Sequence, residues 1–171
     1  RFGWIRTVES FSKTVNTLQD INGDGLPDHL MSDISPMFWK VQLNTGSGLG
    51  VMQDWFGIQN DGWSPLANIQ YSPADAANDV RTRAEFMDMN GDGLPDRVLK
   101  QSNSSTVMRV QINTGSSFNA FQDWTGVDNL GEPQWYGSIR TSKSGHQTIT
   151  LLSDINGDGL PDRIISREST P

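Results

Sequence analysis

The sequence predicts an all-β chain of tandem units, and three observations carry that prediction. A nine-residue run, D-x-N-G-D-G-L-P-D, occurs at Asp20–Asp28, again at Asp88–Asp96, and again at Asp154–Asp162. Each run is flanked by short stretches rich in apolar or β-branched residues. The composition is heavy in turn formers, with 17 Gly and 8 Pro among 171 residues, which favours many short strands joined by turns over helices.

Each element follows from local pattern. Thr17-Leu18, Glu85-Phe86-Met87 and Thr148 to Leu152 lead into the runs, and His29-Leu30-Met31, Arg97-Val98-Leu99 and Arg163-Ile164-Ile165 follow them. Each run therefore reads as a connection between two strands. Lys40–Leu43 and Val107–Ile112 alternate polar and apolar residues, as half-buried strands do, and each ends in an Asn-Thr-Gly turn. Met52-Gln53-Asp54-Trp55 aligns with Phe121-Gln122-Asp123-Trp124 as an aromatic segment, and Trp4, Trp63 and Trp135 open the lead-ins. Ser72 to Asp79 has no counterpart of equal length, and Ser72 as cap with Pro73 at N1 predicts a short helical turn there. The runs begin 68 and 66 residues apart, a period that belongs to repeat architectures. The expected organisation is a single array of about four strands per unit: unit 1 over about 4–62, unit 2 over about 63–134, and a partial unit 3 over about 135–171.

The spacing within the runs points to a metal. Calcium takes six to eight oxygen ligands, and alternate residues of a tight loop can all face one ion. Positions 1, 3 and 5 would supply side-chain oxygens: Asp20, Asn22 and Asp24; Asp88, Asn90 and Asp92; Asp154, Asn156 and Asp158. Position 7 (Leu26, Leu94, Leu160) would supply its carbonyl, and position 9 (Asp28, Asp96, Asp162) a closing carboxylate. The expectation is three Ca2+ sites. A metal-free Asp/Gly turn is the bland alternative, and three copies with one acidic spacing weigh against it. An EF-hand does not fit, since it needs a Glu at position 12 between helices, and position 12 is Met31, Leu99 and Ile165.

Charge and composition narrow the function classes. The net charge is -7, the loops hold three Asp each, and three calcium ions would bring the total to about -1. Away from the loops no basic footprint for nucleic acid is left. No apolar run approaches a membrane span. With no cysteine, no disulfide can staple the chain, and calcium can stabilise it instead by binding only the folded form. Such sites suit an extracellular or cell-surface location, where calcium is high. The chain opens on Arg1 rather than Met, which predicts a processed or excised piece.

The loop followed by Leu43-Asn44-Thr45-Gly46-Ser47-Gly48 resembles the FG-GAP/VCBS-type repeats of integrin-like β-propellers, and in particular those of large bacterial SpvB-like and Rhs/Tc-toxin relatives. The resemblance implies calcium-binding loops between strands of propeller-like blades. It departs in period and lacks a Gly-Ala-Pro element. Two units and a partial third do not close a propeller of 4–8 blades, so an open ladder-like array is equally compatible. Its ends would want cover from neighbouring repeats or by head-to-tail self-association.

No enzyme is expected. His29 stands where the other copies have Arg97 and Arg163 and reads as an outward strand residue; His146 lies in a turn-like stretch. No G-x-S-x-G elbow accompanies them, and Glu9, Glu85, Glu132 and Glu168 form no pair of the glycosidase kind. Repeat-phased Trp55 and Trp124, with Trp4, Trp63 and Trp135, are expected to pack between units. Trp39, whose counterpart is Met108, belongs in a strand core or, with Phe38, on a contact surface. Asn103-Ser104-Ser105 is a sequon of little weight. The first functional expectation is a calcium-stiffened structural module of a surface protein or filament. The alternative is a recognition module, a sugar-binding or toxin-scaffold propeller segment, with a glycan or surface protein as partner.

Overall fold

A computed structural model describes residues 7–9, 13–32, 38–59, 67–72, 79–100, 105–131, 138–143 and 147–166. Among them the chain is all-β, with thirteen strands and no helix. The first five are β1 (Thr7–Glu9), β2 (Lys13–Gln19), β3 (Asp28–Met31), β4 (Phe38–Gln42) and β5 (Gln53–Phe56). A second five follow: β6 (Ala67–Ser72), β7 (Asp79–Met87), β8 (Asp96–Leu99), β9 (Met108–Gln111) and β10 (Gln122–Trp124). The last three are β11 (Arg140–Lys143), β12 (Gln147–Ser153) and β13 (Asp162–Ile165).

Every pairing is antiparallel, and the register recurs from set to set. Leu18 faces His29, Phe86 faces Arg97, and Leu152 faces Arg163. Farther out, Trp39 faces Trp55 where Met108 faces Trp124. The Lys40–Asp54 ion pair on the β4–β5 ladder recurs as Arg109–Asp123 at 3.4 Å on β9–β10. Opposite charges directly across a ladder favour this register.

The set has five strands where the sequence reading gave about four, because the lead-in folds back as a hairpin before entering the loop. The hairpins β1–β2, β6–β7 and β11–β12 each carry a register shift at the same place, after Thr7, Asn68 and Thr141. The expected helical turn at Ser72–Asp79 is bounded by strand at both ends, Ser72 closing β6 and Asp79 opening β7; residues 73–78 lie outside the described residues.

The sets are joined by branching. The first half of β2 pairs with β1 on one side and β6 on the other, through Lys13↔Asn68 and Thr14↔Ala67. The first half of β7 pairs likewise with β6 and β11, through Arg81↔Thr141. Two apolar cores result, and each draws on two sets. Ile21, Leu30, Trp39, Val41, Trp55 and Ile58 are completed by Phe118 and Phe86 of the second set. Met89, Val98, Met108, Val110 and Val127 are completed by Ile139 and Leu152 of the third.

Trp55 is buried in the first core and Trp124 packs against the second. Trp39 is also buried, meeting Phe86 and Phe118 edge-on at 5.7 and 5.5 Å, so it is core and no contact surface. Trp4, Trp63 and Trp135, like His146 and Asn103, lie outside the described residues.

Candidate metal centres

The three loops fold alike, for reasons written in their residues. Gly23 and Gly25 have φ of +76° and +84°, a backbone that side chains rarely adopt, and the other two loops repeat these values within a few degrees. That curl turns successive amides inward, onto the position 1 carboxylate. In the first loop the Gly23 amide donates to Asp20 Oδ1 and the Gly25 amide to Asp20 Oδ2, both at 2.8 Å. Asp88 receives Gly91 and Gly93, and Asp154 receives Gly157 and Gly159, in the same way. The amides of Gly159 and Gly157 hold the Asp154 carboxyl below its ordinary value.

Positions 3 and 5 lock together. Asn22 Oδ1 accepts the Asp24 amide at 3.1 Å, its Nδ2 donates to Asp24 Oδ2 at 3.0 Å, and Asp24 Oδ1 accepts the Leu26 amide at 2.8 Å. Asn90 with Asp92, and Asn156 with Asp158, repeat all three bonds.

Position 9 is the structural keystone. Asp28 is buried and accepts the Ile21 amide at 3.1 Å and the Asn44 amide at 2.7 Å. Asp96 does the same for Met89 at 2.9 Å and Asn113 at 2.8 Å. This carboxylate ties the end of the loop to its start and to the Asn-Thr-Gly turn. Burial raises the Asp96 carboxyl above its ordinary value; those two amides oppose the rise, and repulsion from Asp92 and Asp88 adds to it. Asp162 accepts the Ile155 amide at 3.2 Å and is half-exposed.

The donor set consists of hard oxygens: three carboxylates, one amide oxygen and the Leu26, Leu94 or Leu160 carbonyl. Such oxygens would suit a hard cation such as calcium, and the loops hold no imidazole or thiolate to favour a softer ion. Each carboxylate oxygen engaged by an amide keeps a further lone pair. Among the described residues no group of three His, Cys, Asp or Glu side chains is arranged to hold a metal ion; the carboxylates are turned onto amides, and an ion would have to share Asp28 and Asp96 with the amides they accept. The donor chemistry would fit calcium, and so would the repulsion that Asp92 and Asp88 exert on Asp96.

Three features around the loops escape a residue-by-residue reading of the sequence. The Asn44 and Asn113 amides anchor the keystone, and Asn113 Nδ2 also donates 2.7 Å to Ile21 O of the first loop. The recurrence of Leu/Ile-Asn-Thr-Gly after the first two loops was the available signal. Arg97, the counterpart of His29 that led His29 to be read as outward-facing, is fully buried. Its guanidinium donates to Gln111 Oε1 at 2.7 Å and Gln59 O at 3.1 Å, and lies over the Trp39 ring at 5.3 Å. His29 is half-buried, with Nε2 2.5 Å from Asn16 Oδ1. The third feature is a cleft of about 150 Å3 lined by Ser105, Val107, Arg109 and Asp123. The Ser105 hydroxyl there is engaged with Val107, donating to its carbonyl and accepting its amide.

No protein-family model, no curated protein and no solved structure matches the chain.

Proposed function

We propose that this chain is an extracellular structural repeat module that binds three calcium ions, one in each D-x-N-G-D-G-L-P-D loop, and is stiffened by them. The observation that carries the reading is the threefold recurrence of one acidic cradle. In each copy the amides at positions 4 and 6 hold the position 1 carboxylate and the amide at position 7 holds the position 5 carboxylate, and in the second copy buried Asp96 is pressed by Asp92 and Asp88. A divalent cation would remove that repulsion. The residues assigned to the ions are those at positions 1, 3, 5, 7 and 9 of each loop. The five-strand sets are read as repeat units of one array, in the manner of FG-GAP/VCBS-type repeats, as propeller-like blades or an open ladder.

The test is thermal unfolding of the full chain in 10 mM calcium and in chelator, with calorimetric titration of the apo chain. Sites of extracellular type have Kd of roughly 0.1–1 mM, so each would contribute about 1.4–2.7 kcal/mol at that concentration. For a chain of this length the summed effect is a rise in Tm of about 10 °C or more. Superimposable melting curves, with no heat of binding, would refute the assignment.

A further inference from the structure

We propose that the chain binds a second copy of itself head to tail: loop 3 and the first half of β12 of one copy receive β1, β2 and the first loop of the next. The inference rests on reading the three sets as equivalent units but does not depend on calcium occupancy.

The two junctions inside the chain show what such a surface needs. In each, the following set lays its first strand along the first half of the preceding lead-in strand, β6 on β2 and β11 on β7. In each, an apolar residue two places before the next loop enters the preceding core, first Phe86 and then Leu152. In each, the position 7 leucine of the next loop sits on the position 4 glycine of the preceding one. A Cβ on Gly23 would lie 2.9 Å from Leu94 Cδ2, and one on Gly91 would lie 3.2 Å from Leu160 Cδ2.

At the far end the receiving half of this junction stands without its partner among the described residues. The first half of β12 pairs only with β11. Gly157 meets nothing within 4 Å. Ile155 is 71% exposed, where its counterparts Ile21 and Met89 are 0% and 4%.

At the near end the inserting half is equally unused. Among the described residues β1 pairs only with β2, whereas β6 and β11 are each paired on both sides. Leu18, the counterpart of Phe86 and Leu152, is 42% exposed, and Leu49, the counterpart of buried Phe118, is 50% exposed. Asn44 has the place from which Asn113 reaches Ile21 O, and its Nδ2 contacts Pro27 O at 3.2 Å. Socket and plug therefore have matching chemistry on one chain, and a second copy would supply one to the other in the register already used twice. Gln147 of one copy would pair with Thr7 of the next. The contact is heterologous, so it propagates rather than closing as a twofold dimer.

The test is sedimentation velocity and light scattering of the full chain in calcium, from micromolar to millimolar concentration. Two variants at exposed positions, Ile155→Arg in the socket and Leu18→Arg in the plug, are compared alone and mixed. The wild type is expected to grow into oligomers with concentration. Each variant alone is expected to lose association by about tenfold or more, the worth of one buried aliphatic side chain. An equimolar mixture is expected to stop at a one-to-one dimer, because the intact socket of L18R takes the intact plug of I155R. A wild type that stays monomeric overturns the proposal, as does a closed dimer, or association that I155R leaves unchanged. Circular dichroism and calcium-dependent melting of the two variants report separately on fold and on metal binding, so failure of one reading is distinguishable from failure of the other.

Discussion

Replacing Gly57 with Ala should be one of the costliest single-methyl changes in this chain, and Gly126→Ala supplies its internal control. The two glycines follow β5 and β10 at equivalent places, with φ of +84° and +86°. Both substitutions therefore pay the same left-handed backbone strain, about 1–2 kcal/mol, partly offset by a stiffer unfolded chain. They differ in what the methyl meets. At Gly126 nothing lies within 4 Å among the described residues; at Gly57 the new Cβ would stand 1.9 Å from Phe118 O. Backbone cannot rotate out of the way, so the two sets must separate locally. That strains the Phe118 amide bond to Phe56 O (3.1 Å) and the Gln111 bond to Gly57 O (2.7 Å). Each is worth roughly 1 kcal/mol, and the Phe118 ring loses packing in the first core. The expected cost is about 3–5 kcal/mol for G57A against about 1 kcal/mol for G126A, read from urea unfolding at a fixed calcium concentration. Equal losses would show that the junction between the first two sets does not carry the stability assigned to it.

Other substitutions test the same architecture. Asp96→Ala strands the Met89 and Asn113 amides in a buried site and should cost about 2–4 kcal/mol even in chelator, whereas Asp162→Ala, with one such bond in an exposed loop, should cost clearly less; similar losses at both would remove position 9 from its structural role. Ile21→Ala should destabilise by about 2–4 kcal/mol, while Ile155→Ala in dilute monomer should change the unfolding midpoint little, and matched effects would contradict the difference in their burial. Lys100 gives a pH signature. Burial, with repulsion from Arg163, lowers its ammonium from 10.5 to about 8, although it donates to the Ser105 and Val107 carbonyls. Below pH 8 both folded and unfolded chains hold the proton, and the burial penalty is fully present. Between about pH 8 and 10.5 the folded chain releases it first, so this residue's contribution to stability rises with pH. The difference in unfolding free energy between Lys100→Met and wild type should shift in that window, and a pH-independent difference would sink the assignment.

What the sequence made legible was local. The loops and the strands on either side could be read because Asn, Asp and Gly write turn chemistry into consecutive positions, and the recurrence at 68 and 66 residues repeats it. The partners of Asp28 and Asp96 were not legible, because they lie 16 and 17 residues away in the Asn-Thr-Gly turns. Arg97 misled for a related reason. A charged residue after a loop reads as solvent-facing, and only the fold brings Gln111 and the Gln59 carbonyl to where a buried guanidinium can donate to them. The fifth strand was hidden in β1 and β11 because three or four residues are too short to show a period; in β6, Ala67 to Ser72 alternates apolar and polar, and that signal was there to be read.

The loops do more than offer oxygens to an ion, and this follows from where each one sits. Ile21 is part of a loop, yet it is completely buried, in a core that Phe86 and Phe118 of the second set complete. Its carbonyl accepts from Asn113, while its amide is held by Asp28. A change in the first loop therefore reaches the second set through position 2, with no intervening segment needed to relay it. Met89 is likewise buried, in a core that Ile139 and Leu152 of the third set complete, and its amide is held by Asp96. Nearest-neighbour coupling of this kind makes the stability of an array the sum of its units and their junctions. If calcium orders one loop, it also sets the position 2 residue against which the next set packs. The metal would then stiffen junctions as well as loops, and because such coupling is reciprocal, order in the following set would in turn favour the ion at the loop it packs against.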